Sequence, residues 1–374
     1  MGSSFLAFLS LSISIMGTVN KRDGIGRQSI ELGMVLKNKY EVTVVPVGAI
    51  EELTDLEKNL LKVDLRSLNQ IVLVNTSLPE IPHFVETLKR YRRKDQRFLC
   101  YTMHESSAVD PHFVEYLNFF EHIIVPDPFL IEVFQNSGVA VPISVIPLSV
   151  DLGDFLSQPI KKKVKEPFIF GNYSACILRK DLEILILAFS KKFKNNHNVR
   201  LKINCRGGDK HYMKTLRDLI DSLNIKNVEF TVDSKNASKY LQMFLSTDCY
   251  VSPSWGEGFS IQPRQAMALG IPVIVSNNTG QATISQTGLV FSLEKSQKIQ
   301  AAYSDLFGFF DMGWMAKSDL DELADLMEKV YINRDKVLVD NAKKRDWAKK
   351  FDLKQGSFIE KFCSFFEQYE EKRE

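Results

Sequence analysis

Residues 249–276 read CYVSPSWGEGFSIQPRQAMALGIPVIVS, and this stretch decides which fold the sequence predicts. An apolar run ends at Ser252, a loop with two glycines follows, and a helical pattern runs from Ser260 to Gly270 before the next apolar run. Strand, loop, helix and strand in this order form the repeating unit of a parallel sheet covered by helices. Pro263 fits the first turn of the helix, where a missing amide hydrogen costs no intrahelical bond.

The loop between this strand and this helix is chemically suited to an anionic ligand. Gly256 and Gly258 allow a ligand to approach the backbone closely. The amides of Gly258, Phe259 and Ser260 lie at a helix start, where acceptors within the helix are lacking and the helix dipole favours negative charge. Glu257 would repel a phosphate, so it fits better as an acceptor for neutral hydroxyls, such as those of a sugar joined to the phosphate. An acidic residue that only complements the helix dipole is the alternative.

The same alternation of apolar runs and helical patterns extends over the rest of the chain. The predicted strands are Leu6–Ile15, Val42–Val47, Ile71–Val74, Phe98–Tyr101, His122–Val125, Ile143–Ile146, Phe168–Gly171, Arg200–Asn204, Val228–Val232, Cys249–Ser252 and Pro272–Val275. The predicted helices are Arg27–Lys37, His83–Arg92, Phe113–Phe120, Phe129–Asn136, Arg179–Phe193, Tyr212–Leu223, Ala237–Ser246 and Ser260–Leu269. Many of the strands are continuous apolar runs, which indicates burial on both faces.

One segment interrupts this rhythm and divides the chain. Gln158–Glu166 contains Pro159 and four lysines, which is typical of a solvated linker. The sequence therefore predicts an α/β protein with two Rossmann-like, doubly wound domains facing a central cleft, residues 1–157 and 158–350. The tail Leu320–Glu374 has a wholly helical pattern and ends in an aromatic stretch over residues 358–369.

Composition excludes several classes of protein. The chain has 374 residues, 44% of them hydrophobic, and a net charge of +2, which argues against a disordered chain and against a nucleic-acid-binding polycation. Five scattered cysteines without a C-x-x-C pair are typical of reduced thiols in a cytoplasmic protein. The apolar run Phe5–Met16 is too short to span a bilayer and has no basic residue before it, so we interpret it as the first buried strand.

The quoted stretch also carries a family resemblance. E-G-F-S-I-x-P-x-x-A-M-A-x-G-I-P-V-I, from Glu257 to Ile274, resembles the donor-site motif of retaining GT-B glycosyltransferases, which use nucleotide diphosphate sugars. Four further segments resemble family segments in the same order along the chain. They are the glycine loop Asp23–Arg27, the strand end Tyr101–His104, the domain-closing segment Ile146–Asp151 and the basic pair Arg179–Lys180.

The resemblance implies a role for each domain and an activity. The second domain would bind the nucleotide sugar and the first an acceptor, with residues 351–374 packing back on the first domain. The implied reaction is a metal-independent, cofactor-independent hexosyl transfer with retention, onto a glycan, glycolipid or protein acceptor, for example in polysaccharide biosynthesis. The implied catalytic residues are Glu257, Arg179, Lys180 and His104. The implied donor-binding residues are Gly258, Phe259, Ser260, Ile261, Gln265, Gly24 and Gly26.

The chain departs from the family pattern at two positions. The family has two glutamates separated by seven residues, and the second, which contacts ribose hydroxyls, is Gln265 here. The family also often has an arginine after the glycine that ends the first strand of the second domain, and here Gly171 is followed by Asn172. We expect Arg179 to supply the missing cation. Both departures favour an alternative function, a non-catalytic subunit that binds a nucleotide sugar or another glycosyltransferase. A nicotinamide dehydrogenase does not fit, because Ser29 stands where its third glycine is required.

Arg179 and Lys180 are predicted to open a helix, where a bound diphosphate would offset their unfavourable interaction with the helix dipole. In the alternative interpretation, Asp181 and Glu183 neutralise them on a solvated face. If the two cations bind phosphate, Lys180→Ala is expected to reduce turnover by orders of magnitude with thermal stability nearly unchanged.

Two further charged segments have simple interpretations. Lys89–Arg97 holds six basic residues and one acidic one, which fits a solvated helix end or a patch that contacts an acidic acceptor or the inner face of an anionic membrane. Asp319-Leu320-Asp321 is the only D-x-D and lies in a helical pattern, so we expect a solvated helix face there and no obligatory metal.

Overall fold

The computed structural model describes residues 11–20, 24–51, 53–164, 166–232, 237–301 and 310–370. Contacts between residues divide the chain into two compact units. The first comprises residues 1–104, 109–149 and 357–374, and the second comprises residues 105–108 and 150–356. The junction after residue 149 precedes the position that the linker composition indicated, and residues 105–108 belong to the second unit although they follow a strand of the first.

The first unit is a parallel sheet with helices in its connections. Its strands are β1 (Ser12–Asn20), β2 (Glu41–Glu51), β3 (Ile71–Asn75), β4 (Arg97–Tyr101), β5 (His122–Val125) and β6 (Ile143–Val145). Its helices are α1 (Gly24–Leu36), α2 (Asp55–Lys58), α3 (Ile81–Tyr91), α4 (Pro111–Leu117), α5 (Phe129–Asn136) and, from the C-terminus, the helix Phe358–Glu370. The strand order is β2-β1-β3-β4-β5-β6, and every residue of β3 is buried, as a strand covered on both faces requires.

The second unit contains a second six-stranded parallel sheet. Its strands are β7 (Phe168–Asn172), β8 (Val199–Cys205), β9 (Val228–Val232), β10 (Cys249–Ser252), β11 (Val273–Ser276) and β12 (Phe291–Leu293). Its helices are α6 (Gly153–Leu156), α7 (Leu182–Phe193), α8 (Lys210–Ser222), α9 (Ala237–Ser246), α10 (Ile261–Ala268), α11 (Thr279–Ser285), α12 (Leu320–Ile332) and α13 (Asn341–Lys349). The C-terminal helix of the first unit is therefore α14. The strand order β12-β11-β10-β7-β8-β9 is that of a dinucleotide-binding fold.

The two parallel sheets confirm the predicted fold class. Strands β5 and β10 and helix α5 have the predicted bounds. The first strand runs from Ser12 to Asn20 rather than over Leu6–Ile15, and the part of that prediction before residue 11 lies outside the described residues.

The tail after Leu320 is not one continuous helical region, as its pattern predicted. It forms α12, α13 and α14, separated by turns. Between α13 and α14 the Asp352 carboxylate accepts the amides of Leu152, Lys354 and Gln355 at 2.9–3.1 Å. An aspartate carboxylate that accepts hydrogen bonds from the backbone amides two and three residues later stabilises a turn instead of a continued helix. This explains why the helical region is interrupted between α13 and α14.

Two other segments differ from the sequence prediction. An antiparallel hairpin, β13 (Ser296–Gln300) with β14 (Trp314–Ser318), was not predicted. The segment Gln158–Glu166 is not simply a solvated linker, because Lys161 forms an ion pair with the buried Asp248 at 2.7 Å. Arg345 also donates to the Gln158 carbonyl at 2.6 Å.

Helix α14 packs within the first unit through its aromatic residues. The Phe362 ring stacks on Tyr101 with centroids 6.0 Å apart, and Phe366 meets Tyr40 edge-on at 5.9 Å. The aromatic stretch at the C-terminus therefore contributes to the core of this unit.

Candidate functional site

The strand order of the second sheet determines where its functional loops meet. The order reverses between the neighbouring strands β7 and β10, and ligands of such sheets bind at the carboxyl ends of the strands where this reversal occurs. The segment after β7 contains Arg179 and Lys180, and the segment after β10 contains Glu257. The fold thus brings together three of the residues that the sequence singled out.

These residues form a network of ion pairs. The Glu257 carboxylate accepts from Arg179 Nη1 at 2.9 Å and from Lys180 Nζ, and Arg179 Nη2 contacts Glu105 at 3.0 Å. The Arg179 side chain is 16% exposed and that of Lys180 11%. Two cations and two carboxylates therefore balance each other within a nearly buried cluster. The alternative interpretation, in which Asp181 and Glu183 neutralise the cations on a solvated face, is wrong, because the partners are Glu257 and Glu105.

Burial and charge act in opposite directions on this cluster. Burial raises the pKa of the Glu257 carboxyl, but Lys180 and Arg179 outweigh burial and hold the pKa at about 2. Burial lowers the pKa of Lys180, and Glu257 opposes that shift. Glu257 is therefore a carboxylate at neutral pH and can only accept hydrogen bonds.

Asp181 determines how the cations are presented. Leu178–Lys180 forms a 3₁₀ turn, and Asp181, with φ of 47°, caps helix α7 by accepting from the Ile184 amide at 3.3 Å. Arg179 and Lys180 thus precede the helix and do not lie in its first turn, which corrects the prediction.

Asp181 also ties the two loops together. Its carboxylate accepts from Trp255 Nε1, and the Trp255 amide donates to the Arg179 carbonyl at 2.8 Å. Burial raises the pKa of Asp181 to about 6, against the opposing effects of Trp255 and Lys317. The two loops after β7 and β10 are therefore held as one structure.

The loop after β10 leads into helix α10 through an unusual residue. Ser260 adopts a left-handed conformation with φ of 69°, and its hydroxyl accepts from Gln281 at 3.0 Å. In the part of the chain that the structure describes, the amides of Gly258, Phe259 and Ser260 donate to no protein acceptor. These are the amides that the sequence predicted as donors to an anion.

Gln265 lies one helical turn further along α10, and its side chain has a fixed orientation. Tyr240 donates to Gln265 Oε1 at 2.7 Å, while Arg206 lies 4.8 Å from the centre of the Tyr240 ring and contacts its hydroxyl at 3.5 Å. Tyr240 uses one lone pair of the Gln265 oxygen, so the second lone pair can accept a hydrogen bond from a ligand and the amide nitrogen can donate one.

His104, Gly24 and Gly26 belong to the first unit. His104 is buried three residues after β4 ends. Residues 24–27 of the predicted glycine loop form instead the first turn of α1, which begins at Gly24, and Asp23 lies outside the described residues. The part of these three residues in ligand binding remains a prediction.

The charged segments outside the site form local ion pairs. In Lys89–Arg97, Lys89 pairs with Glu86 at 2.8 Å and Arg97 with Glu121 at 2.8 Å. Asp319 caps α12 by accepting from the Glu322 amide at 2.8 Å, in keeping with the predicted helix face. Among the described residues, no group of three or more His, Cys, Asp or Glu side chains is arranged to hold a metal ion. In the same residues, no helix combines the length and the apolar character needed to cross a membrane.

Several residues of the site carry no signal in the sequence. In the sequence, Glu105 is distinguished only by following His104, and Tyr240 and Arg264 only belong to helical patterns. Each depends on a partner that is distant in sequence or on packing, so their side-chain roles follow from the folded structure. The left-handed backbone of Asp181 is different, because the residue type itself could have suggested it. Asp tolerates that conformation better than most residues do.

Comparisons with known proteins bear on the family and the fold of the chain. Residues 155–306, less than half of the chain, match the family model "Glycosyl transferases group 1". No curated protein matches the sequence.

Solved structures show the fold over nearly the whole chain. HepE from Anabaena in complex with UDP is 14% identical with a TM-score of 0.71, and the alignment covers 96% of this chain and 100% of that one. Sucrose-phosphate synthase from Thermosynechococcus elongatus is 13% identical with a TM-score of 0.67, over 96% of this chain and 99% of that one. The chain therefore has the two-domain α/β GT-B fold, and the family match supports a glycosyltransferase.

Proposed function

We propose that this protein is a retaining glycosyltransferase that moves a hexosyl unit from a nucleotide diphosphate sugar to an acceptor hydroxyl. The observation that carries the proposal is the convergence of Arg179, Lys180 and the amides of residues 258–260 at the carboxyl ends of β7 and β10. Cations and outward-facing amides at a helix start are the groups that a diphosphate requires. The structure of HepE with UDP gives the same fold with a nucleoside diphosphate bound.

The main catalytic contribution would be stabilisation of the leaving diphosphate. Negative charge develops on the diphosphate as the glycosidic bond breaks, and fixed donors aimed at that charge lower the barrier. Arg179 and Lys180 are fixed in place by Glu257, Glu105 and the loop backbone before any ligand binds. Glu257 would accept hydrogen bonds from sugar hydroxyls and so orient the sugar beside the cations.

Three finer features of the proposal follow from the family resemblance. Retention would proceed on the front face, with the leaving phosphate taking the acceptor proton, because no side chain of the site is an evident base. No metal is required, since the cations replace it. His104 would line the sugar pocket and Gln265 would hold the ribose. The configuration of the product anomeric carbon, measured by NMR, tests retention directly.

The first experiment is a screen of nucleoside diphosphates for thermal stabilisation. A ligand at 100 times its dissociation constant adds about 2.7 kcal/mol to the free energy of unfolding. One nucleotide is expected to stabilise the protein clearly, and the Lys180→Met variant is expected to lose most of that stabilisation. Lys214→Met, which removes a lysine that is 73% exposed on α8, is the matched control. Failure of every nucleotide to stabilise the wild-type protein would contradict the proposal.

A second candidate function is a non-catalytic subunit that binds a nucleotide sugar. Gln265 favours it, because a neutral amide replaces the charged partner expected there. The two functions differ in turnover: release of nucleoside diphosphate from the sugar nucleotide that binds best indicates an enzyme. Binding without release, together with release by Gln265→Glu, indicates a subunit with a decayed site.

The acceptor side of the proposal concerns Lys89–Arg97. We propose that this segment attracts an anionic membrane surface at which a lipid-linked acceptor is presented. Arg90 and Lys94 take part in none of the ion pairs found among the described residues, so they carry uncompensated charge. Co-sedimentation with anionic vesicles is expected to exceed that with neutral vesicles and to fall in Arg90→Glu/Lys94→Glu. Equal recovery with both vesicle types would remove this part of the proposal.

A further inference from the structure

We propose that Arg264 is a positioning residue that holds the loop Trp255–Ser260, called here the donor loop, with its amides turned toward the diphosphate. This inference rests on the proposed function and adds a residue that neither the sequence analysis nor the family resemblance singled out. Arg264 lies in α10, after the donor loop, and is completely buried.

The surroundings of Arg264 fix its guanidinium group. The group lies 3.7 Å from the centre of the Phe259 ring and 4.6 Å from that of Phe351, and Trp347 is 5.3 Å away. Aromatic faces attract a cation, and a planar guanidinium can stack on them while it donates in its own plane. Its Nη1 donates to the carbonyls of Phe259 and of Ser260, the latter at 2.9 Å.

Other donors hold the remaining carbonyls of the donor loop. Arg179 Nη1 donates to the Gly256 carbonyl at 2.8 Å, and the Gly280 amide donates to the Glu257 carbonyl at 2.8 Å. The Ala316 amide donates to the Trp255 carbonyl at 2.9 Å. Nearly every carbonyl of the donor loop is therefore bound by a protein donor, and Arg264 alone binds two of them.

Peptide geometry converts these bonds into an orientation of the amides. In a trans peptide, the carbonyl oxygen of one residue and the amide hydrogen of the next point in opposite directions. Bonds to the Phe259 and Ser260 carbonyls therefore turn the amides of Ser260 and Ile261 away from Arg264. The bond from Gly280 to the Glu257 carbonyl turns the amide of Gly258 away from Gly280 in the same way. The amides of Ser260 and Ile261 are thus presented on the side opposite the buried guanidinium.

Ser260 shows why this loop needs such a support. Its left-handed conformation, φ of 69° and ψ of 82°, is unfavourable for a residue with a side chain. Arg264 binds the carbonyls on both sides of the Ser260 Cα, so it stabilises the conformation that aims the two amides. A buried positive charge behind these amides also favours the anion that they bind.

The test compares phosphate-containing and phosphate-free probes on two variants. Calorimetry measures binding of inorganic pyrophosphate, of the nucleoside diphosphate that stabilises the wild-type protein best, and of the corresponding nucleoside. Arg264→Met is expected to weaken binding of pyrophosphate and of the nucleoside diphosphate at least tenfold and to leave the nucleoside within about twofold. Arg264→Lys keeps the charge and most of the volume, so it is expected to fold and to recover part of the loss.

The outcomes separate this inference from the proposed function. If the wild-type protein binds neither pyrophosphate nor any nucleoside diphosphate, the proposed function fails. If the wild-type protein binds them and both variants bind all three probes as tightly, Arg264 has no positioning role. Equal weakening of the nucleoside and of pyrophosphate would show general damage to the fold and would also overturn the inference. If Arg264→Met does not fold, Arg264→Lys alone decides by the same comparison.

Discussion

The ion pair between Lys180 and Glu257 leads to a prediction about stability that reverses the expectation from sequence. Lys180→Met and Glu257→Gln each remove one charge and keep most of the side-chain volume. The two side chains are 11% and 6% exposed, and loss of one partner from such a buried pair costs about 3–5 kcal/mol. Lys180→Met should lie near about 3 kcal/mol because Arg179 still contacts Glu257 at 2.9 Å. Glu257→Gln should lie near about 5 kcal/mol because it leaves Lys180 buried without its carboxylate.

The pH dependence gives a second measure of the same pair. The folded pKa of Glu257, about 2, is below its ordinary value of 4.5, so its contribution to stability is complete above pH 4.5 and is lost as the pH falls toward 2. In Lys180→Met burial still raises this pKa, and Arg179 and the Ser254 side chain oppose it without the help of Lys180. The loss of stability on acidification should therefore begin at a higher pH than in the wild-type protein.

The assay is urea unfolding of the two single variants and the double variant between pH 3 and pH 8. At neutral pH a thermal scan should also show a lower midpoint, by about 6–12 °C for Lys180→Met and by about 10–20 °C for Glu257→Gln, given about 2–4 °C per kcal/mol for a unit of this size. The double variant should be more stable than the sum of the single effects predicts, because it leaves no unpaired charge. Strict additivity of the two effects would refute the pairing. A stability close to wild type in Lys180→Met would restore the expectation from sequence.

Three further predictions concern the residues around this pair. Asp181→Asn should flatten the pH dependence of the free energy of unfolding between about pH 4 and pH 6. The pKa of Asp181 is raised to about 6 in the folded protein, so the wild-type protein loses stability as the pH rises through that window. An unchanged dependence of the melting temperature on pH would contradict this prediction. Gly256→Ala should destabilise the protein strongly, because a Cβ there would overlap the Glu105 carbonyl oxygen, and a normal melting temperature would rule out that contact. Gln265→Glu should tighten nucleoside diphosphate binding severalfold, because a carboxylate accepts more strongly than an amide from a ribose hydroxyl and from Tyr240. Weaker binding by calorimetry would show that the Gln265 amide donates to the ligand.

The fold class could be predicted from local patterns in the sequence, and so could the position of the donor loop between a strand and a helix. The alternation of buried strands and helices, and the glycines before a helix start, are local patterns that chain geometry and turn chemistry make readable. The same patterns located Arg179, Lys180 and Glu257, because each follows a recognisable strand.

The pairing of these residues, in contrast, depends on how the chain folds. Arg179 and Glu257 are 78 residues apart, and they meet because β7 and β10 are neighbours in the sheet, which no local pattern specifies. Glu105, which contacts Arg179, lies in residues 105–108. This short segment belongs to the second unit, although the residues before and after it in the sequence belong to the first. The hydrogen bonds that Arg264 donates to the Phe259 and Ser260 carbonyls likewise depend on the path of the folded loop. Local periodicity encodes which segments form strands and helices, whereas ion pairs and buried hydrogen bonds depend on distances that exist only after those segments have packed.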